Sequence, residues 1–370
     1  MDFDLNEMQQ MLVDSAQRLV RTRSDVETWR AHREFADGVD PAIWSRFAEL
    51  GWLALAVPED AGGLGGSMED VALLMIELGR GIVVEPIVSS AVLGAHLIGA
   101  SGCAGREALL GAIVGGELRL ALAHLEADDT GAETGPRKTT ARREGDGYVL
   151  SGAKVLAYDA PSAGRLIVTA ALEDGTGLFL VDAGASGVAL ESYAMIDGSH
   201  AADVALSDVA VSADALLASG SEADAVLAEA LDRARIATMA QAIGAMEGAV
   251  TTTADYAKER QQFGQPIARF QAIQHMGSEM FAAMFEARSA LYQALADCTE
   301  STSRRQLAVS IAKAKSTEAG QIVGRNGIQI HGGYGITDEY AVSHFYRRLF
   351  TLEKQYGDAD WHLARIAALS

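Results

Sequence analysis

The hydrophobic period of the chain changes twice, near Gly115 and near Gly220, and these changes fix the order in which structure is laid down. Before the first change the period is helical. Leu5, Met8, Leu12, Ala16 and Leu19 form one stripe, and Asn6 with Gln9 reads as a capping box. Pro41 opens a second helix that carries Ile43, Trp44, Phe47 and Leu50 and stops at Gly51; a third spans Met68 to Arg80. The glycine-rich Val57 to Ser67 reads as an irregular loop, because no Lys-Ser/Thr follows to make a phosphate cradle. Between the two changes lie short β-rich runs: 118–125, 139–144, 148–150, 165–171, 177–181, 202–206 and 209–211. Gly145-Asp146-Gly147 supplies a hairpin turn. Strands so closely spaced, with no helix between them, predict a compact antiparallel barrel or sandwich. After Gly220 the helical period returns: Ile236, Met239, Ile243, Met246 and Val250 share a face, and helices follow through Phe270 to Ala296 and Ser303 to Gly324. The prediction is an α+β multidomain chain. An N-terminal helical domain (1–115) is followed by a middle β domain (116–220) and a C-terminal four-helix bundle (221–370).

Charge narrows the partners. The 30 basic and 50 acidic residues give −20, which disfavours nucleic acid or an anionic membrane as the main partner. Cys103 and Cys298 form neither a disulfide framework nor a metal spacing, so no metal site is expected and a reducing cytoplasm suits the chain. The start MDFDLNEMQQ is acidic and lacks the apolar core of a signal peptide. The most apolar segment, Gly81 to Ala100, is interrupted by Glu85, Pro86 and His96, so no membrane insertion is expected.

Two stretches carry residue types suited to chemistry. In Tyr256 to Gln274, Arg260 ends a helix, Phe263-Gly264 turns the chain, and Gln271 and Gln274 lie on the next helix. A guanidinium fork suits a pyrophosphate, Phe263 can pack on a flat ring, and the Gln274 amide can pair with a ribose or base edge. Such a junction is also an ordinary structural one. In Gly327 to Asp360, Gln329 precedes the pair Gly332-Gly333, then Tyr334-Gly335, an acidic turn and a basic-aromatic segment. Glycines in such number mark backbone that a ligand approaches closely, here a dinucleotide's phosphates, ahead of a catalytic loop.

Taken together, R-x-x-F-G at Arg260, F-Q-x-x-Q at Phe270 and Q-x-x-G-G-x-G at Gln329 resemble the acyl-CoA dehydrogenase family, and the resemblance covers nearly the whole chain. It implies a central β-barrel between helical domains, FAD as cofactor, an acyl-CoA substrate and electron-transfer flavoprotein as acceptor. It also implies that Arg260 meets the FAD pyrophosphate, Phe263 the adenosine and Gln274 the ribose or adenine. Gln329, Gly332 and Gly333 would reach the pyrophosphate from a partner chain. In the family a carboxylate removes the α proton of the thioester while the β hydrogen leaves as hydride to the flavin.

This chain departs from the family pattern at the base. Its count places Tyr356, before Gly357, where the usual glutamate stands, and Ala234 where a second subclass carries one on the long helix. Asp358 is then a candidate base, with Glu353 a weaker one. The favoured alternative is a base supplied by a homologous partner subunit, as in the small subunits of pimeloyl-CoA-type and sterol side-chain dehydrogenases that the chain resembles. A non-catalytic subunit completing a partner's FAD site, and a flavin-dependent oxidase or oxygenase, are the other readings. In the middle domain, the family's flavin-edge runs are replaced by Ala123-His124-Leu125-Glu126 and by Leu156-Ala157-Tyr158 after Gly152-Ala153-Lys154, where His124 and Tyr158 are either substitute contacts or ordinary barrel packing.

Overall fold

The computed structural model describes residues 4–23, 25–127 and 137–369. It divides into two compact units. One comprises residues up to Ala31, Met68–Val83 and Arg235 onward; the other comprises His32–Ser67 and Val84–Ala234. The helices ahead of the sheet are α1 (Glu7–Arg21), α2 (Val26–His32), α3 (Pro41–Glu49), α4 (Met68–Arg80), α5 (Ala95–Ala100) and α6 (Arg106–Val114). The Asn6–Gln9 capping box forms on α1. Its buried face, however, is Val13, Ala16 and Val20, and Met8 of the predicted stripe is 71% exposed. Of the predicted stripe Ala16 is buried, Leu12 and Leu19 are half-buried, and Leu5 is exposed like Met8.

The sheet contains β1 (Leu120–Ala123), β2 (Thr140–Glu144), β3 (Gly147–Tyr158), β4 (Arg165–Leu172), β5 (Gly175–Asp182), β6 (Val188–Ala194), β7 (His200–Ser212) and β8 (Leu216–Ser219). Its order is β6-β7-β3-β2-β4-β5-β8, and β1 pairs β4. Most pairings are antiparallel, but β1 and β2 both meet β4 in parallel. Among the described residues the ladder runs from β6 to β8 without closing, so the expected antiparallel barrel is here an open, mixed sheet. The two short runs predicted at 202–206 and 209–211 are one strand, β7, with a left-handed Asp208 between them. β6 escaped the sequence reading because this edge strand is largely exposed and carries Glu191 and Ser192. Leu150, Leu166, Val168, Phe179, Val181 and Val204 are in the core.

In the helical unit, α7 (Gly220–Glu259) is followed by the hairpin β9 (Gln261–Gln262) and β10 (Gln265–Pro266). Then come α8 (Gln271–Ala296), α9 (Thr302–His331), α10 (Ala341–Lys354) and α11 (Ala359–Leu369). α9 packs against α8, α10 and α11, so a fifth helix joins the four expected. From Arg235 to Met246 α7 is buried all round, with Ile236, Met239, Ile243 and Met246 at 1% exposure or less. Glycines permit this closeness. A Cβ on Gly244 of α7 would lie 1.9 Å from the Ile76 carbonyl oxygen of α4, and one on Gly79 of α4 would lie 2.1 Å from that of Gln241. At the crossing Gln241 donates to the Val83 carbonyl at 2.6 Å, and Arg348 of α10 donates to Gln241 at 2.6 Å.

Candidate functional site

Arg260 follows the last residue of α7, and its backbone N–H donates to the Tyr256 carbonyl at 2.8 Å. The β9–β10 turn then needs left-handed backbone at Phe263 (φ 53°) and Gly264 (φ 80°). Phe263 is 92% exposed, and its ring makes an edge contact with Phe270 at 6.0 Å. α9 continues as helix through Gln329 to His331, so this part of the glycine stretch is not loop. It ends at Gly332, whose φ 62° and ψ −136° only glycine adopts without strain. The two segments face one cavity of about 680 Å³, lined by Tyr256, Arg260, Phe263, Phe270, Gly332 and Gly333 among others. Gly332 and Gly333 thus share a surface with Arg260 and Phe263 of the same chain.

The other two predicted contacts lie beside this cavity. Gln329 is exposed on the last turn of α9 and does not line it. Gln274 donates to the Ala268 carbonyl at 3.1 Å and borders an adjacent apolar cavity of about 510 Å³; Ile273 and Ile330 line both cavities. Between them His331 is buried, donates through Nδ1 to the Gly327 carbonyl at 2.9 Å and stacks on Tyr256 with ring centres 4.2 Å apart. Burial lowers its pKa, so it is a neutral packed residue. The Arg260 guanidinium lies 5.8 Å from the Tyr334 ring centre.

The predicted catalytic loop is a short turn, Gln355 to Asp358, between α10 and α11. Tyr356 has φ 59°, unfavourable for a bulky residue, and Gly357 has φ 103°. The turn is held from inside. Arg235 Nε donates to the Tyr356 carbonyl at 2.8 Å, and His362 Nε2 donates to the same oxygen at 3.3 Å. Lys313 Nζ donates to the Leu352 and Glu353 carbonyls at 2.8 and 3.1 Å, capping α10. Asp358 accepts from the Trp361 N–H at 3.1 Å, as an N-cap of α11, and from Lys354 at 3.4 Å. Burial works to raise the Asp358 pKa, but the Trp361 N–H and the Lys354 and Lys313 cations outweigh it and leave the carboxyl below its usual range. Glu353 pairs with Lys354 at 3.1 Å.

In the sheet unit, two segments singled out by sequence join through one ion pair. Fully buried Lys154 of β3 donates to Glu126 at 2.7 Å and to Thr169 at 3.1 Å. Glu126 also accepts the N–H groups of Lys138 and Thr139 at 2.7 and 3.0 Å. Burial opposes its charge, but the Lys154 bond and these N–H donors hold its pKa at about 2.

Residues 6–117 match the acyl-CoA dehydrogenase N-terminal domain, and residues 225–369 match the acyl-CoA dehydrogenase C-terminal domain. The chain belongs to the acyl-CoA dehydrogenase family. It is 31% identical to the acryloyl-CoA reductase (NADH) of Anaerotignum propionicum, over 99% of this chain and 95% of that one. Among solved structures it is similar to a variant of the Tcur3481-Tcur3483 steroid ACAD (31% identity, TM-score 0.89, covering 98% of this chain and 97% of that one). It is also similar to the ChsE4-ChsE5 complex from Mycobacterium tuberculosis (26% identity, TM-score 0.90, covering 100% and 98%).

The family is FAD-dependent, and the cavity beside Arg260 fits the diphosphate end of such a cofactor. It combines a guanidinium, an almost fully exposed aromatic ring, and two glycines beside which a Cβ would meet nothing within 4 Å. Family membership also makes the oxidoreductase class secure. Sequence reading passed over Arg235, Lys313 and His362, which shape the turn. Their signal was present in outline, as cationic or polar residues inside otherwise apolar helical segments (RARIA, IAKAK, DWHLA).

Proposed function

We propose that the chain is one subunit of an FAD-dependent acyl-CoA dehydrogenase that introduces an α,β double bond into an acyl-CoA thioester, with the catalytic base supplied by a homologous partner subunit. One observation carries this reading: the carboxylates of the 353–358 segment are already engaged, Asp358 as a helix cap beside Lys354 and Glu353 in an ion pair. Removing a proton beside a thioester carbonyl needs a carboxylate with a raised pKa, and Asp358 is held the other way. FAD, when bound, supplies the two-electron acceptor. Arg260 would hold its pyrophosphate by charge, Gly332 and Gly333 would admit the phosphates to main-chain N–H groups, and Phe263 would cover the adenosine. Gln274 and Gln329, beside the cavity, would reach its outer parts. Electron-transfer flavoprotein fits as acceptor, and a fatty, dicarboxylic or steroid acyl group as substrate. The similarity to an acryloyl-CoA reductase supports a second reading, in which the same site reduces an enoyl-CoA.

The test is purification of the chain alone and with a co-expressed homologous subunit, followed by flavin quantitation and anaerobic addition of acyl-CoA. Flavin colour that acyl-CoA bleaches only in the co-purified complex is expected. A colourless complex refutes FAD binding. Bleaching of the chain alone refutes the partner's base, and a coloured complex inert to both acyl-CoA and enoyl-CoA favours the non-catalytic or oxidase readings.

A further inference from the structure

The 355–358 turn and the end of α10 rest on a buried cluster of basic side chains that the proposed reaction does not itself require. Lys313 of α9 is 2% exposed, Arg235 of α7 is 1% exposed and His362 of α11 is fully buried. Arg235 and Arg365 both approach the Trp361 ring, at 4.7 and 5.4 Å from its centre. Arg365 also donates to Ser310 of α9 at 3.2 Å. Among the described residues, Lys313 bonds two backbone carbonyls and no carboxylate. A buried ammonium without a bonded counter-charge is costly, while a neutral amine can still donate to the same carbonyls.

We propose that Lys313 is a proton-coupled positioning residue: when neutral it lets the 355–358 turn close over it, and when charged it drives the turn open toward water. The inference rests on the reading above only in placing this turn beside the acyl group.

The charged and titratable groups facing Lys313 are Arg235 of α7, Glu353 and Lys354 of α10, Asp358 of the turn and His362 of α11, which Arg365 faces in turn. Burial is the largest influence on the lysine and Arg235 adds to it. Together with Lys354 they outweigh Glu353 and Asp358, and the ammonium titrates at about 7. His362 stays neutral, because burial and the Arg235, Lys313 and Arg365 cations push its pKa far down. If opening the turn hydrates Lys313, its pKa returns toward the usual value near 10.4. The closed turn therefore binds fewer protons than the open one between these values. Closure strengthens about tenfold per pH unit above 7 and is flat below it.

The experiment is hydrogen exchange of the backbone amides of residues 355–362 in the full chain at pH 6 and pH 8, corrected for intrinsic exchange. Protection is expected to rise about tenfold in the wild type, and not to change with pH in Lys313→Met, which cannot titrate, or in Lys313→Arg, which stays charged. Lys313→Arg should also match the wild type at pH 6 more closely than at pH 8. Flat or falling protection in the wild type overturns the proposal, as does a rise that survives either substitution. Should Lys313→Met not fold, the wild-type profile and Lys313→Arg decide. No flavin or acyl-CoA is needed. A complex that stays colourless would therefore sink the dehydrogenase reading, while a rise of protection with pH in the same protein would leave the lysine's role standing.

Discussion

Replacing Gly244 by alanine tests the helix crossing on which the C-terminal unit is built. The added Cβ would sit 1.9 Å from the Ile76 carbonyl oxygen, on rigid helix backbone. A carbon and a carbonyl oxygen rest at about 3.3 Å, so α4 and α7 must part by roughly 1.4 Å. The Gln241–Val83 hydrogen bond, 2.6 Å long, would then stretch to about 4 Å and fail, stranding a buried amide and carbonyl. Overpacking costs about 1–3 kcal/mol and the lost buried bond about 1–3, against a gain of about 1 for alanine over glycine in a helix. The net loss is about 1–5 kcal/mol, large against a total stability of about 5–15. Thermal unfolding followed by circular dichroism should show a fall of several degrees. The control is Gly111→Ala in α6, where a Cβ meets nothing within 4 Å and alanine should stabilise slightly. A second test uses Gly79→Ala. Once the helices have parted, its Cβ finds room, so the double variant should lose less than the sum of the singles. An unchanged melting temperature for Gly244→Ala, or strict additivity with Gly79→Ala, would show that the glycine contact does not set the crossing.

Other consequences are more local. Arg260→Ala should lower flavin affinity about tenfold to a hundredfold, the worth of a charge-assisted bond to phosphate, and unchanged flavin content in the purified complex would remove Arg260 from the pyrophosphate site. Gly332→Ala meets no steric obstacle but places a side chain at φ 62°, ψ −136°; a stability loss of about 1–3 kcal/mol is expected in urea titration, and no loss would mean that the backbone there relaxes freely. Asp358→Asn keeps an N-cap acceptor and is expected to leave turnover of the complex within a few-fold, whereas a loss beyond about a hundredfold would return the role of base to this carboxylate. Glu126 has its folded pKa lowered to about 2 from 4.5, so its stabilisation of about 3 kcal/mol is present above pH 5 and lost as pH falls through 2; Glu126→Gln should flatten acid unfolding across that window, and an unaltered acid limb would show that the Lys154 pair adds nothing.

The sequence was most informative where an interaction lies within a few residues. The capping box of α1, the Met68–Arg80 helix and the Gly145–Gly147 hairpin turn depend on neighbours in the chain and were legible as such. The Arg260 to Phe270 junction was legible for the same reason, since its helix end, turn and next helix are consecutive. Contacts that span the chain were not. Nothing near Lys313 announces that it caps α10 some forty residues later, and nothing near Gly244 announces the carbonyl of Ile76. Edge strand β6 was missed because an exposed strand carries no strong apolar signal.

The sequence by itself determined the order of helical, β and helical segments and the family, because periodicity, motif spacing and residue identity are properties of the chain alone. Tertiary structure decided the rest. It placed Gly332 and Gly333 on one cavity with Arg260 and Phe263, made Asp358 a helix cap, set the Tyr356 turn on a buried arginine and capped α10 with a buried lysine. The reason is physical: a carboxylate or an ammonium takes its role from burial and from the charges around it, and both exist only once distant segments have packed together.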